Sequence, residues 1–300
     1  GLPPLPRGHG LPMHRRLRDD AGQPTGVFID TAMRLVDAAI PAPDEAMREL
    51  RFARALEESV SLGLTGVHDM GVSLADIALY RRFADSGRLP LRVTAYADGD
   101  REALTALCAF GPIDHPSGRL KMRGVKLYAD GALGSRGAAL IADYSDEPGS
   151  RGLLVTSEQG LEQAMRKARG CGLQVAAHAI GDRGNRIVIG LFERTLGANP
   201  GDHRWRVEHA QIVAVADIAR FAAIGAMASM QPIHATSDMP WVPARIGPNR
   251  LGGAYAWQRF LQAGVGLPFG SDFPVEPVNP MLGLYAAVTR QDLDGQPPGG

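Results

Sequence analysis

Apolar positions along this chain switch repeatedly between helical spacing and short buried or alternating runs. From residue 43 the pattern is regular. "PDEAMRELRFARALEESVSLG" places Met47, Leu50, Ala53, Leu56 and Val60 at helical spacing, with Asp44 near its start and Gly63 at its end. "LTGVHDMG" (64–71) then reads as a short buried strand. A helix over 73–86 opens with Ser73 and an acid three residues on, a variant of the capping box. Strand 91–98, helix 100–110 and strand 123–131 follow. A long Gly-rich excursion leads to helix 158–170. Strand 173–182 precedes helix 183–196, strand 204–211 precedes helix 214–224, and strand 226–234 is followed by a second long loop and helix 253–263. Strand 265–272 and a last helix near 280–290 complete the series.

Strands that alternate with helices imply a parallel sheet covered by helices. Seven such units favour a closed (β/α)8 barrel of the TIM type over an open doubly wound sheet. No GxGxxG follows the first strand, so the dinucleotide fold lacks its usual mark. Residues 1–42 are rich in Pro, Gly and Arg and read as an irregular N-terminal segment, with a short helix around 31–38. The barrel domain is assigned to 43–300.

In such a barrel the chemistry sits where the strands end. Those ends carry Lys126, His178, His209, the pair Gln231 and His234, and Asp272. Side chains alternate along a strand. If Lys126 points inward, so does Gly124, while Val125 and Leu127 pack on helices. If His178 points inward, so does Ala176; Asp272 goes with Gly270. Each residue alone has an ordinary reading: a snorkelling lysine, a core histidine, an aspartate capping a helix. Together, a lysine, two histidines and an aspartate buried at one height would cost many kcal/mol without compensation. A divalent cation is the simplest compensation, and neutral imidazoles with a carboxylate suit zinc. A lysine that has taken up carbon dioxide as a carbamate would change from a repelling cation to an oxygen ligand.

Composition narrows the partners. The chain of 300 residues is 45% apolar and 21% charged, with zero formal net charge, which gives no electrostatic case for nucleic acid or an anionic membrane. Its apolar runs are too short to span a bilayer. Two cysteines, Cys108 and Cys171, make neither a disulfide framework nor a CxxC pattern, and so few fit the cytoplasm. The composition leaves the oligomeric state open, a homo-oligomer included.

The segments "GLTGVHDMG", "GVKLYADGALGSR", "AAHAIGDR", "RVEHAQ", "ASMQPIHATSD" and "GSDFPVEPVNPMLGLYAAVTR" resemble, in order and spacing, the amidohydrolase superfamily. Within it they are similar to amidohydrolase family 3, the group of YtcJ-like and N-substituted formamide deformylase-like proteins. The resemblance runs from about residue 20 to the end. It implies a TIM-like barrel of the metal-dependent hydrolase type and hydrolysis of a non-peptide C–N bond, amide or N-formyl/N-acyl, by metal-activated water. It implies one or two divalent ions, zinc foremost. Lys126 would be the carboxylated lysine, His178 and His209 metal ligands, and Asp272 both ligand and general base. A hydrolase of this kind takes a small-molecule amide as its partner. From its place in the chain, His234 has two readings of equal standing, a catalytic residue that reaches the substrate or oxyanion and a packing residue. Asp130, Arg136, Asp182 and Arg183 are candidates for substrate binding or for support behind the site, set against loop capping and surface pairing. Tyr144, Met239 and Trp241, in the long loops, are candidates to line a substrate pocket.

One departure matters. The family places a His-x-His pair at the end of its first barrel strand, and none of the eight histidines here forms one. The family's small β-sandwich is also missing. The expectation is therefore an internal fragment that lacks the first strand, with activity in doubt for the fragment itself. Two other readings stand beside it. One is a Schiff-base TIM-barrel lyase using Lys126 as nucleophile. The other is a degenerate, non-catalytic binding or regulatory barrel.

Overall fold

The structure is a computed structural model that describes residues 15–19, 21–99, 101–198 and 200–299. The chain divides into two compact units, Gly1–Ala42 and Pro43–Gly300. In the first, β1 (Arg15–Arg18) pairs antiparallel with β2 (Pro24–Ile29). The Asp19 carboxylate accepts from the backbone N–H groups of Ala21 and Gln23 and closes the turn between them. A 3-10 turn (Asp30–Met33) and α1 (Arg34–Asp37) follow. The irregular reading is thus corrected to a hairpin and a short helix. The Pro- and Gly-rich composition hid strands that show no alternation.

The second unit runs through α2 (Glu45–Ser61), β3 (Gly66–Val72), α3 (Leu74–Asp85), β4 (Arg92–Asp98), α4 (Arg101–Phe110), β5 (Ile113–Asp114) and β6 (Leu120–Tyr128). It continues with α5 (Glu158–Gly170), β7 (Gln174–Ala179), α6 (Asp182–Leu196), β8 (Arg206–His209), α7 (Ile218–Ile224) and β9 (Met227–Ser229). Last come α8 (Pro232–Asp238), α9 (Val242–Ile246), α10 (Trp257–Gln262) and α11 (Pro280–Thr289). Sheet order is β3-β4-β6-β7-β8-β9, all parallel, with β5 hooked antiparallel onto β6. An extended segment continues the sheet beyond β9. Ala228 N–H donates to Gly266 O at 3.0 Å, Met230 N–H to Pro268 O at 3.0 Å, and Gly270 N–H to Met230 O at 3.1 Å. The strand expected at 265–272 is therefore this run, bridged in parallel at Met230 and Phe269.

Helix starts follow local chemistry. Asp44 accepts from Met47 N–H at 2.7 Å, and Ser157 from Gly160 N–H at 3.1 Å. Ser73 accepts from Asp76 N–H at 3.2 Å, the N-cap that the sequence predicts, and donates its own hydroxyl to the Asp76 carboxylate at 2.6 Å. Two expectations are corrected. The stretch 235–252 is helical rather than a long loop, because Pro232, Pro243 and Pro248 each sit in the first turn of a short helix, where a missing N–H costs nothing. On α2 only Leu56 and Ser59 are buried, while Met47, Leu50 and Val60 are exposed. Among the described residues β3 has no strand beyond its outer edge, so α2 has little sheet to cover.

The sheet is strongly curled. Arg206 on β8 reaches across to β3, with Nη1 3.0 Å from His68 Nδ1 and Nη2 3.5 Å from Met70 Sδ. Val125, Leu127, Val175, Ala177 and Val207 are buried on the helix side, as the alternation predicts. On the inner side Tyr96 lies against Gly124, where a Cβ would stand 2.4 Å from the ring, and its hydroxyl donates to Gln174 Oε1 at 3.1 Å.

Cys108 on α4 and Cys171, just past α5, form a disulfide 63 residues apart in sequence. This corrects the expectation that the two cysteines stay unlinked, and it removes the support their number gave to a cytoplasmic location, since such links persist in oxidising compartments. No helix among the described residues is long and apolar enough to cross a membrane. Closing a loop of that length restricts the unfolded chain, so Cys108→Ser should lower unfolding stability by about 4 kcal/mol, measured by denaturant titration. No change on mutation or reduction would mean that the bond does not form.

Candidate metal centre

Parallel register sets the inner layers. Lys126 stands level with Ala176, and Ala176 with Arg206; two residues further along, Tyr128 stands level with His178, and His178 with Glu208. Lys126 is 5% exposed, and its register partner on β7 is the small Ala176. Simple alternation would turn His209 away from the face that Glu208 occupies. It does not, because His209 and Ala210 both adopt left-handed backbone conformations, φ 71° and 42°, which re-aim the imidazole. Asp272 has φ 57°. Such strain in non-glycine residues clusters where a site over-determines the backbone.

The side chains converge. The rings of His178 and His209 are 4.6 Å apart, edge to face. His209 and His234 lie nearly parallel at 6.0 Å. One ligand atom each from His209, His234 and Asp272 falls within 4.8 Å of the others. His234 Nε2 is 3.5 Å from Asp272 Oδ2, and its Nδ1 is 3.3 Å from Glu276 Oε1. His234 itself is on α8 rather than at a strand end, because β9 stops at Ser229 and Pro232 starts a helix.

Electrostatics favour ligands over cations. Burial, with the nearby Lys126 charge, lowers the His178 pKa to about 3, against the pull of the Gly131 backbone and Asp272. Burial, then His178, Lys126 and His234, hold His209 well below the usual imidazole range. Both rings are neutral at pH 7. His209 Nδ1 faces Gln231 Oε1 at 2.9 Å, which fixes the proton on Nδ1 and leaves a lone pair on Nε2. His178 Nε2 is buried with no hydrogen-bond partner. For Lys126, burial pushes the ammonium pKa down, Glu208 and Asp272 pull it up, and Arg206 pushes it down again. Among the described residues Lys126 makes no ion pair, and its Nζ lies 5.3 Å from the Tyr128 ring centre. Among the described residues the ligand atoms that meet are those of His209, oriented by an amide oxygen, His234 and Asp272, 41% exposed at the mouth, a donor set that fits a divalent cation. His178, whose Nε2 makes no hydrogen bond but lies 3.5 Å from Asp130, is not one of the three.

The other candidates are held by contacts of their own. Asp130 is 2% exposed and accepts from three backbone N–H groups, Ala139 (2.9 Å), Ile180 (2.9 Å) and Gly181 (2.8 Å). It stitches the loop after β6 to the end of β7, 3.5 Å from His178 Nε2. Asp182 accepts from Ile141 N–H. Arg136 makes a two-pronged contact with Asp146 at 3.0–3.1 Å. The Arg183 side chain is exposed, and its backbone N–H donates to Ala139 O. Trp241 packs over Gly134, with the Arg245 guanidinium 5.7 Å from its ring. Tyr144 is a core residue rather than a pocket wall, its hydroxyl donating to Ala138 O.

Three groups escaped the sequence reading. Arg206 Nε lies 2.5 Å from Glu208 Oε1 in a buried pair, Arg206 one layer below His178 and Glu208 level with it, on the inner face that alternation assigns to every second residue of β8. Glu276 lies beyond the last strand in "PVEPVNP", where no period marks it.

A curled parallel sheet with helices outside and converging His, Lys and Asp side chains at its strand ends defines a barrel of the metal-dependent hydrolase type. The Amidohydrolase family profile matches residues 5–298, and the chain belongs to that family. It is 33% identical over 286 residues to the putative amidohydrolase YtcJ of Bacillus subtilis, covering 93% of this chain and 53% of that protein. It is 26% identical to the N-substituted formamide deformylase of Arthrobacter pascens, covering 93% and 53%. A crystal structure of a metal-dependent hydrolase from Pyrococcus horikoshii superposes with a TM-score of 0.77 at 31% identity, covering 86% of this chain and 51% of that one. The chain spans about half the length of the curated relatives it matches.

Proposed function

We propose that the protein is a metal-dependent hydrolase of C–N bonds other than peptide bonds, acting on a small amide of the N-formyl or N-acyl kind. The observation that carries this reading is the pair of neutral, buried imidazoles, His178 and His209, with ring centres 4.6 Å apart near the Lys126 ammonium, together with the ligand atoms of His209, His234 and Asp272 within 4.8 Å of one another. A Schiff-base enzyme would use Lys126 and leave both imidazoles without a task. The family and the N-substituted formamide deformylase named above support the amide class.

Lys126, His178, His209 and Asp272 are the residues that would hold the ion, with zinc the best match to the donor set. Bound there, a divalent cation supplies the Lewis acidity that makes water a nucleophile near neutral pH. Burial raises the share of neutral Lys126 amine, the form that adds to carbon dioxide; an N–C bond forms, a proton leaves, and the side chain turns anionic. Asp272, at the mouth, orients the attacking water and accepts its proton, then returns that proton to the leaving nitrogen. His234 Nε2, beside Asp272, donates to the carbonyl oxygen as negative charge builds on it.

The test is hydrolysis of N-formyl and N-acyl amines by the full-length protein. Activity should vanish on chelation and return with zinc. Turnover that survives exhaustive chelation would contradict the proposal.

A further inference from the structure

His234 is surrounded by acceptors. Its Nε2 faces Asp272 at 3.5 Å and its Nδ1 faces Glu276 at 3.3 Å, while Asp238, one helical turn further along α8, adds a third nearby carboxylate. Asp238 is itself engaged, accepting from the Tyr255 hydroxyl and from Gln211 Nε2 at 3.0 Å. That contact anchors α8 and leaves Glu276 as the acceptor for the ring. The stacked His209 ring closes one face of the imidazole. The His234 and Glu276 side chains are both mostly covered, at 12% and 15% exposure. The arrangement repeats that of His209, whose Nδ1 is held by Gln231 Oε1. In each case an oxygen acceptor stands beside Nδ1, the place that outer carboxylates and amides take behind working imidazoles.

We propose that Glu276 is a positioning residue: it accepts the Nδ1–H of His234 and so aims Nε2 at the space beside Asp272. Geometry alone carries the assignment. The catalytic consequence rests on the hydrolase reading; the orientation of the ring does not.

The test is therefore double. In long-range nitrogen–proton correlation spectra of the protein labelled with isotopic nitrogen at histidine, His234 should carry a proton on Nδ1. That state should be lost or averaged in Glu276→Ala. It should persist in Glu276→Gln, whose amide oxygen still accepts. A wild-type His234 with its only proton on Nε2 overturns the proposal whether or not any variant folds, and so does a folded Glu276→Ala with an unchanged His234 signal. In an amide-hydrolysis assay, Glu276→Ala should lower kcat about 10- to 100-fold with KM little changed, and Glu276→Gln should restore most of it. Metal content should not change. Equal losses in both variants would point to charge or scaffold and reject the positioning role. If no amide is hydrolysed at all, the hydrolase reading fails, and the His234 spectrum still decides for or against Glu276.

Discussion

Replacing Asp130 by alanine should destabilise the protein by about 3–6 kcal/mol. The carboxylate is buried and satisfies three backbone N–H groups from two separate loops, at Ala139, Ile180 and Gly181. Each buried donor left without a partner costs roughly 1–3 kcal/mol. Gly184 is shaped around the same group, since a Cβ there would lie 2.4 Å from Asp130 Oδ2. Asp130→Asn should fall between wild type and alanine. An amide oxygen in the Oδ2 position keeps the bonds from Ala139 and Gly181, while its NH2 opposes the Ile180 donor. Urea unfolding measures both. A loss under 1 kcal/mol for the alanine variant would mean that water or a local shift replaces these bonds.

On the proposed mechanism, Asp272→Asn should lower kcat for amide hydrolysis by about 10²–10⁴-fold, the usual contribution of a general acid–base group. The substitution is clean in structural terms. Asp272 has φ 57°, a conformation that asparagine tolerates about as well as aspartate. The backbone is therefore kept, while the proton acceptor is removed. Its side chain is partly exposed, so stability should change little. Activity within threefold of wild type would reassign the base.

Much of the barrel was legible because strand and helix periods differ and alternate from residue 43 onward, with two long excursions between units. Lys126 and His178 followed from alternation, since the small Gly124 and Ala176 lie beneath them. His209 is a different case. It sits at the right strand end, yet only a positive φ brings it to the site, and no pattern of apolar residues encodes that angle. The Cys108–Cys171 link joins residues 63 apart that only the packing of α4 beside α5 brings together, so spacing says nothing about it. The segment 226–252 reads in sequence as a strand and a long loop, but Pro232, Pro243 and Pro248 each stand in a first helical turn, where they start helices. Glu276 was hidden because it takes its meaning from His234, 42 residues earlier on another element.

The account depends on a cation gathering Lys126, His178, His209 and Asp272. Elemental analysis of the purified protein, after incubation with zinc and bicarbonate and removal of loose ions, tests that most directly. At least stoichiometric zinc is expected in the wild type, with clear losses in Lys126→Ala and His178→Ala and a dependence on bicarbonate that Lys126→Ala abolishes. Wild-type zinc content in both variants would contradict it.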